Sequence, residues 1–323
     1  MFRTEVTVPQ SAHKISLKQP VLCLGSCFAE VVGQGLAQNK FNTLINPFGV
    51  MYNPCSILKL LEYAVSGEVP AQDTYLENEG IYFNYDLHSN FSHRELTVLQ
   101  ETIAEAIART ASYLEKVEWM IFTFGTAYIY RRQDNHQLVA NCHKMPDHVF
   151  QKELLDIAEI LGSFQRFLQL LGKNRLSPKV ILTVSPVRHI KTGLVENSLS
   201  KSILRLAAQQ LMETNDQVAY FPAYEIMMDD LRDYRFYQKD LIHPNEVAQD
   251  YIWQKFVEAF FDPPAIKFTE NWDKIRQALE HRPFHPESEK HQSFLRNTIS
   301  LLDSLKDQVN VTEEIRSLQN QLL

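Results

Sequence analysis

Two side chains that can act as nucleophiles follow the first apolar run of the chain. Val21 to Leu24 form that run, Gly25 ends it, and Ser26 and Cys27 come directly after the glycine. Apolar residues at helical spacing then begin at Phe28, which predicts a helix. A strand, a glycine turn, a nucleophile and a helix in this order put a hydroxyl or thiol at the carboxyl end of a strand, where ligands bind in open α/β sheets.

The second segment that could do chemistry is Asp240-Leu241-Ile242-His243-Pro244. A proline disfavours a helical backbone at the preceding residue and suits the first turn of a helix, so we expect His243 at a loop-to-helix junction. A turn can bring the Asp240 carboxylate back to the imidazole, where it would fix the tautomer and stabilise the protonated ring. The alternative is a surface aspartate beside a helix-capping histidine.

The elements that must position these residues alternate between short apolar runs and longer segments of helical period. The predicted strands are Val21–Leu24, Trp119–Phe124, Val180–Val184 and Val218–Phe221. The predicted helices are Ser56–Val65, Leu96–Leu114, Leu154–Leu171 and Leu199–Leu211. This alternation predicts an α/β fold with a mostly parallel sheet. Two insertions, Tyr75–Tyr85 and Ala127–Asn141, have the alternating pattern and turn residues of β-hairpins.

A boundary is predicted at Asp262-Pro263-Pro264, because prolines halt the preceding helix. It divides the chain into an α/β domain, residues 1–262, and a helical C-terminal extension, residues 263–323. Apolar residues at helical spacing between Leu295 and Leu322 predict that the extension packs on the α/β domain or pairs with a second copy in a homo-oligomer.

The composition is that of an ordinary soluble globular protein, with 45% apolar and 22% charged residues among 323. The formal net charge of -7 argues against nucleic-acid binding, since no basic stripe is available to neutralise phosphates. No apolar stretch approaches the length of a membrane span, and the first residues, from Met1, lack the apolar block of a signal peptide. We therefore expect a cytoplasmic protein that does not contact a membrane.

The cysteines predict neither a disulfide framework nor a metal site. Four are scattered along the chain, at Cys23, Cys27, Cys55 and Cys142, and none forms a CxxC pair. Cys23 lies within an apolar strand and is predicted to be a small buried residue. We expect neither a metal ion nor an organic cofactor.

The sequence resembles the GSCFA family, whose name is the motif Gly25-Ser26-Cys27-Phe28-Ala29. The resemblance runs from about residue 20 to about residue 260. It includes four further motifs, which are Asn46-Pro47-Phe48-Gly49, Thr123-Phe124-Gly125-Thr126, Ser185-Pro186-Val187-Arg188-His189 and Asp240 to His243.

That family is similar to the SGNH, or GDSL-like, hydrolases, which implies a flavodoxin-like three-layer α/β/α sandwich and ester hydrolysis by a Ser-His-Asp triad. In the wider group the Gly-Asp-Ser block ends on the nucleophilic serine. Ungapped alignment puts the nucleophile on Cys27, whereas one deletion puts it on Ser26. Cysteine suits the position, because a helix N-terminus lowers the pKa of a thiol. Alternatively, both residues only satisfy the turn and the first helical amides.

The resemblance also implies an oxyanion hole, which the wider group builds from the nucleophile's amide, a glycine amide and an asparagine side chain. Gly49 is the candidate for the glycine amide. Gly125-Thr126-Ala127-Tyr128 stands in place of the Gly-x-Asn-Asp block, so a glycine is retained and the asparagine is absent. Asn46, Asn53 and Asn141 are the candidates to replace it.

Polar residues after later strands are candidates to line the same site. Arg188 and His189 follow the predicted strand Val180–Val184, where Arg188 could hold a carboxylate or phosphate and His189 could shape the pocket. His143 follows the second insertion. The alternative in each case is a solvent-exposed loop.

The sequence therefore predicts a hydrolase that cleaves an acyl ester on a small molecule or glycan. Ser26 or Cys27 attacks, His243 acts as general base and then as general acid, and Asp240 orients His243. One alternative is an acyltransferase that uses an activated acyl donor. Another is a non-catalytic carbohydrate- or partner-binding relative, which the missing asparagine favours.

Overall fold

The computed structural model describes residues 4–323. Met1 to Arg3, which begin the N-terminal stretch that lacks the apolar block of a signal peptide, lie outside the described residues. In chain order the strands are β1 (Val21–Gly25), β2 (Thr43–Ile45), β3 (Tyr75–Asn78), β4 (Ile81–Asn84), β5 (Ser92–His93), β6 (Trp119–Phe124), β7 (Tyr128–Arg132), β8 (Leu138–Val139), β9 (Phe150–Leu154), β10 (Lys179–Val184) and β11 (Val218–Phe221). The α-helices are α1 (Cys27–Gln38), α2 (Pro54–Ser66), α3 (Leu96–Leu114), α4 (Ile157–Lys173), α5 (Leu194–Glu213), α6 (Ala223–Glu225), α7 (Glu246–Phe260), α8 (Pro263–Glu280), α9 (Glu289–Asp303) and α10 (Thr312–Gln319).

The central sheet has five parallel strands in the order β11-β10-β6-β1-β2. The strands follow the flavodoxin-like order when they are numbered in chain order within this sheet. The connection from β1 to β2 runs toward one edge of the sheet, and the strands from β6 onward run toward the other edge, so the order reverses between β1 and its neighbour β6. That reversal opens a crevice at the carboxyl ends of β1 and β6, next to Gly25.

Helices cover both faces of the sheet. Leu22 and Leu24 of β1 point into one core, which helices α2 to α5 cover, whereas Val21 and Cys23 point into the other, which α1 and α7 cover. Alternate residues of a strand face opposite sides, so strands buried on both faces consist of continuous apolar residues. These layers confirm the predicted three-layer α/β sandwich with a mostly parallel sheet.

The structure differs from the predicted elements in several places. Strand β2 was not predicted, because its three residues are too few to show a period. The predicted helix Leu154–Leu171 begins only at Ile157, since residues before it complete strand β9 and Asp156 forms a capping box with Glu159. Each hairpin insertion has a third strand, giving small antiparallel sheets of β3-β4-β5 and β8-β7-β9.

The prolines after α7 start a helix as well as ending one. Asp262 caps α8, and Pro263 is its first residue, a position where the missing amide hydrogen costs nothing. Helices α8 to α10 bury their apolar residues in a small core of their own. The indole of Trp272 donates a hydrogen bond of 2.7 Å to the carbonyl of Gln38, which ties this core to the end of α1. The C-terminal region is helical, as predicted; the division at residue 262 and the homo-oligomer stay predictions.

No helix within residues 4–323 is long and apolar enough to cross a membrane.

Candidate active site

The turn after β1 is built around a backbone conformation that favours glycine. Gly25 has φ of +135°, and a Cβ atom there would lie 2.1 Å from the carbonyl oxygen of Thr123 on β6. The amide of Gly25 donates to Asn46 Oδ1 at 2.9 Å, and the amide of Ser26 donates to the Thr123 carbonyl at 3.0 Å. The turn is therefore wedged against β6 at the point where the sheet reverses direction.

Ser26 and Cys27 have very different surroundings. Ser26 is the N-cap residue of α1, yet its hydroxyl is buried and makes no hydrogen bond to any described residue. The proposal that Ser26 satisfies the first helical amides is therefore wrong. Cys27 is the first helical residue and is partly exposed. The helix thus presents uncapped amides beside a partly exposed thiol.

The groups around Cys27 shift the pKa of its thiol in opposite directions. Burial raises the pKa of the Cys27 thiol, and the Glu30 carboxylate adds to that increase. The backbone amide of Phe28 and the ammonium of Lys201 oppose it. The thiol is protonated at neutral pH in this environment, so its reaction as a thiolate requires a proton acceptor.

The two predicted glycine donors are both engaged in turns. The amide of Gly49 donates to the carbonyl of Asn46 at 2.8 Å, and the amide of Gly125 donates to the carbonyl of Tyr52 at 2.7 Å. Neither amide is free to bind an oxyanion in this structure, which corrects the predicted role of Gly49. Both glycines instead shape the loops that border Cys27: Gly49 has φ of +79°, and a Cβ atom on Gly125 would lie 3.1 Å from the Tyr52 ring.

Two of the three candidate asparagines, Asn46 and Asn53, use their Nδ2 groups in other hydrogen bonds. Asn53 caps α2: its Oδ1 accepts from the amide of Ser56 at 2.8 Å, and its Nδ2 donates to the Ser56 hydroxyl at 2.9 Å. Asn141 accepts from the amide of His143 within its own loop. Asn46 holds the Gly25 amide, and its Nδ2 lies 3.5 Å from Glu30 Oε1. The uncapped amides at the start of α1 are further candidate donors for an oxyanion.

Asp240 and His243 form the predicted carboxylate–imidazole pair. His243 Nδ1 lies 2.6 Å from Asp240 Oδ2, while Asp240 Oδ1 accepts from the amides of Ile242 and His243 at 3.0 Å each. The two backbone hydrogen bonds, followed by the one to the imidazole, lower the pKa of Asp240 to about 2. The carboxylate is therefore ionised at neutral pH and orients the ring. Leu241, with φ of +60°, makes the turn that joins the two residues.

The pair lies on an exposed loop and is not hydrogen-bonded to either nucleophile. The side chains of Asp240 and His243 are 44% and 41% exposed. Within residues 4–323, His243 makes no hydrogen bond to Ser26 or Cys27. A β-bridge joins Pro244 to Tyr237. Burial raises the pKa of Tyr237, and the positive charge of Arg188 opposes that increase. The loop therefore lies near Arg188.

His189 lies at the site, as the sequence predicts for the loop after β10. Its amide donates to Asn197 Oδ1 at 2.8 Å, and its ring is 6.1 Å from that of Tyr52. Burial lowers the pKa of His189, and Lys201, followed by Lys191 and Lys152, lowers it further. Arg188 points instead toward Met228, whose sulfur lies 2.9 Å from its guanidinium.

His143 belongs to the insertions. Its Nε2 lies 2.7 Å from the carbonyl of Asn84, and its ring packs on Phe83 at 4.8 Å. Burial lowers the pKa of His143. These contacts hold the two small sheets together, and they explain a buried histidine without a part in catalysis.

Three buried polar residues on α5 were missed by the sequence reasoning. The Ser200 hydroxyl accepts from the amide of Ala127 at 2.7 Å, and Lys201 Nζ donates to the carbonyl of Ser185 at 2.8 Å. With Asn197, they fasten the loops after β6 and β10 to one helix. A sequence signal existed: these three residues occupy the same helical face as Leu204, Ala208 and Leu211, which is otherwise apolar.

Within the described part of the chain, no three His, Cys, Asp or Glu side chains are grouped so as to hold a metal ion.

The segment that carries this site also matches the model of a protein family. Residues 20–256 match the model of the GSCFA family, and residues 272–323 match that of the GSCFA domain protein, C-terminal domain. The chain belongs to the GSCFA family. The first match contains every site residue described above. No curated protein matches this GSCFA protein.

Two solved structures are similar to this GSCFA protein at low sequence identity. One, from Streptococcus pneumonia and described as a platelet activating factor, is 13% identical and covers 75% of this chain and 84% of its own, with a TM-score of 0.39. The other, a carbohydrate esterase family 3 from Talaromyces cellulolyticus, is 13% identical and covers 48% of this chain and 60% of its own, with a TM-score of 0.26. Similarity at this level carries no argument about function.

Proposed function

We propose that this GSCFA protein is a cysteine-dependent acyl-ester hydrolase in which Cys27 is the nucleophile and His243 the general base. One observation carries the proposal: a partly exposed thiol begins a helix whose first amides are uncapped, on a domain that also holds a preformed Asp240–His243 pair. A nucleophile, a base and a group that orients the base are the parts of a nucleophilic acyl-transfer site.

Cys27 is the better nucleophile of the two candidates because of its access to solvent. The Ser26 residue is 2% exposed, and its hydroxyl has no base or hydrogen-bond acceptor to activate it. A serine hydroxyl requires such a base, whereas a thiol is more acidic and more nucleophilic. Ungapped alignment with the Gly-Asp-Ser block of the SGNH hydrolases also puts the nucleophile at Cys27, in keeping with a proposed relationship to that group.

The proposed reaction begins when His243 Nε2 takes the proton from Cys27 Sγ as the sulfur attacks the ester carbonyl carbon. The Asp240–His243 loop must close on Cys27 for this step. The carbonyl oxygen becomes an oxyanion that the amides of Cys27 and Phe28 can bind at the positive end of α1. His243 then gives its proton to the departing alcohol. Water, deprotonated by His243, hydrolyses the thioester and restores the thiol.

We further propose that the loop after β10 binds the rest of the substrate. Arg188 offers a guanidinium for a carboxylate or phosphate, and His189 forms a wall of the site opposite Tyr52. Ile190 and Leu194, which are exposed beside them, offer an apolar surface to an acyl chain. A small-molecule or glycan ester in the cytoplasm remains the proposed substrate.

Acyl transfer is the second candidate, and the thiol is the observation that favours it. A thioester intermediate can pass its acyl group to an alcohol or amine in place of water, with the same proton transfers through His243. Adding an alcohol or amine acceptor to the assay distinguishes the two, because a transferase would form the new ester or amide faster than free acid.

The test is hydrolysis of a short-chain p-nitrophenyl ester by wild type and by the variants Ser26→Ala, Cys27→Ala and His243→Ala. We expect Ser26→Ala to retain activity, Cys27→Ala to lose it, and His243→Ala to fall by about 10²- to 10⁴-fold. Equal rates in all four proteins would reject the proposal and would favour a non-catalytic binding protein.

A further inference from the structure

Lys201 is buried at the site without a carboxylate partner. It is 2% exposed, and its ammonium makes one hydrogen bond, to the carbonyl of Ser185. Within residues 4–323, no aspartate or glutamate forms an ion pair with it. Burying an unpaired ammonium is costly, so a lysine is a poor choice for this position on packing grounds alone.

The strand register brings the Lys201 amine to the same edge of the sheet as Cys27. Gly25 pairs with Thr123, and Thr123 pairs with Thr183, so these residues lie in one row across β1, β6 and β10. Cys27 and Ser185 each lie two residues beyond that row. Neighbouring strands are about 4.8 Å apart, so β1 and β10 are separated by roughly 10 Å. The long side chain of Lys201 reaches over this edge from α5.

Few charged or titratable groups face this pair. Glu30, Tyr52 and Lys201 act on Cys27. The groups that face Lys201 are Cys27, His189 and the ring of Tyr224, which lies 5.7 Å from the ammonium. Among the ionisable groups, the Cys27 thiolate favours the charged form of Lys201, and the face of the Tyr224 ring favours it as well.

We propose that Lys201 is a positioning residue that controls the ionisation of Cys27 through its own positive charge. The ammonium stabilises the thiolate, and the thiolate in turn stabilises the ammonium, because opposite charges favour each other's charged forms. The only covalent change is the loss of a proton from Sγ to solvent or to His243. The catalytic meaning of this coupling rests on the proposed function, in which Cys27 is the nucleophile.

The coupling explains two features that otherwise conflict. Burial raises the pKa of the Cys27 thiol and lowers the pKa of the Lys201 amine to about 7, so each group alone is driven toward its neutral form. Each opposes that shift in the other. A thiol and an amine held this way each make the charged form of the other less costly than it would be alone.

The test is the pH dependence of iodoacetamide alkylation at Cys27, followed by mass spectrometry of the peptide that contains it. We expect Lys201→Met to slow alkylation near neutral pH by about tenfold, the size of a one-unit increase in the thiol pKa. Rates in the two proteins should converge at high pH, where the thiol is ionised in both. Lys201→Arg, which keeps the charge, should restore much of the wild-type rate.

Lys179→Met is the matched control. Lys179 lies at the opposite end of β10, where its ammonium is 5.3 Å from the ring of Trp119, and its loss should leave alkylation of Cys27 unchanged. Cys23 serves as an internal monitor of folding, because it is fully buried in β1 and reacts only if the sheet opens. The same alkylation rate and pH midpoint at Cys27 in wild type and Lys201→Met, with Cys23 protected, would overturn the proposal.

If Lys201→Met exposes Cys23, a second measurement leaves Lys201 in place. Cys27→Ser should lower the pH at which the Lys201 amine titrates by NMR, since coupling between two sites is reciprocal; an unchanged titration would overturn the proposal. Both experiments omit substrate. If these experiments show the expected pKa shifts but the protein does not hydrolyse esters, only the proposed function is rejected. If the protein hydrolyses esters through Cys27 but the pKa shifts are absent, only the role of Lys201 is rejected.

Discussion

The Gly25–Cys27 turn and the Asp240–His243 loop are held in opposite ways. The turn depends on residues distant in sequence: Asn46 and Thr123 accept its amides, and α1 anchors its far end. The loop is held by hydrogen bonds between residues at most five apart, and its side chains are exposed. One half of the proposed site is therefore part of the core, whereas the other is a surface structure that forms locally.

This difference separates stability from activity. Changes in the turn should damage the sheet as well as the chemistry, because its atoms are packed against β6. Changes in the loop should remove activity and leave the fold intact. The predictions below rank substitutions by their effect on stability, from the core side of the site to the surface side.

Gly25→Ala should have the largest effect on stability. The new methyl group would lie 2.1 Å from the Thr123 carbonyl, on a residue whose φ is +135°. Strain and overpacking together should lower the free energy of unfolding by about 3 to 5 kcal/mol. Gly80→Ala is the control, since Gly80 has φ of +75° but nothing within 4 Å of its Cβ position. Equal losses for both in urea denaturation would show that the close approach to β6 does not matter.

The buried amine should make stability depend on pH. The pKa of Lys201 falls from 10.5 to about 7 on folding, so between these values the unfolded chain binds more protons than the folded one. The free energy of unfolding therefore rises with pH across that window. The full cost of burying the charged ammonium is present below pH 7. Lys201→Met should lack this rise, which urea denaturation at several pH values would detect. Parallel pH profiles for the two proteins would contradict the prediction.

Ser26→Ala should change stability little, although the residue is as buried as Ser200. The Ser26 hydroxyl has no hydrogen-bond partner, so its removal should shift the free energy of unfolding by less than about 1 kcal/mol, in either direction. Ser200→Ala removes a hydroxyl with two hydrogen bonds and leaves the Ala127 amide unpaired. That change should cost about 1 to 3 kcal/mol. The same cost for both serines would mean that Ser26 has a partner in solution.

Asp240→Ala should lower the melting temperature at neutral pH only slightly, because its contacts are local and exposed. It should nevertheless reduce ester hydrolysis, since His243 loses the carboxylate that orients it. The low pKa of Asp240 means that any contribution of this residue to stability is lost only as pH falls from 3.8 to about 2. A large fall in melting temperature at neutral pH would mean that the loop, like the turn, is part of the core.

The sequence predicted the loop better than it predicted the turn. Asp240 and His243 are three residues apart, so their hydrogen bond could be expected from local geometry. The position of Ser26 and Cys27 after β1 was also expected, from the apolar run and Gly25. Which of them is exposed could not be expected, because that depends on how α1 packs against β6.

Residues that reach the site from elsewhere were harder to predict. Gly49 and Gly125 were expected near the site, but the Gly49 amide is occupied by Asn46 in its own turn and the Gly125 amide by Tyr52 in a different loop. Lys201 was missed, since a lysine in an amphipathic helix normally faces solvent. Strand β2 was missed because three residues carry no period. The failures at Gly125 and Lys201 concern contacts between distant segments.

The central claim is that Cys27 carries the acyl group during the reaction. Wild type and His243→Ala, quenched in acid during turnover of p-nitrophenyl acetate, can be digested and sequenced by tandem mass spectrometry across Ser26 and Cys27. We expect an acetyl group on Cys27 Sγ, removed by neutral hydroxylamine and absent from Cys27→Ala. An acetyl group on Ser26, or ester hydrolysis that continues in Cys27→Ala, would contradict it.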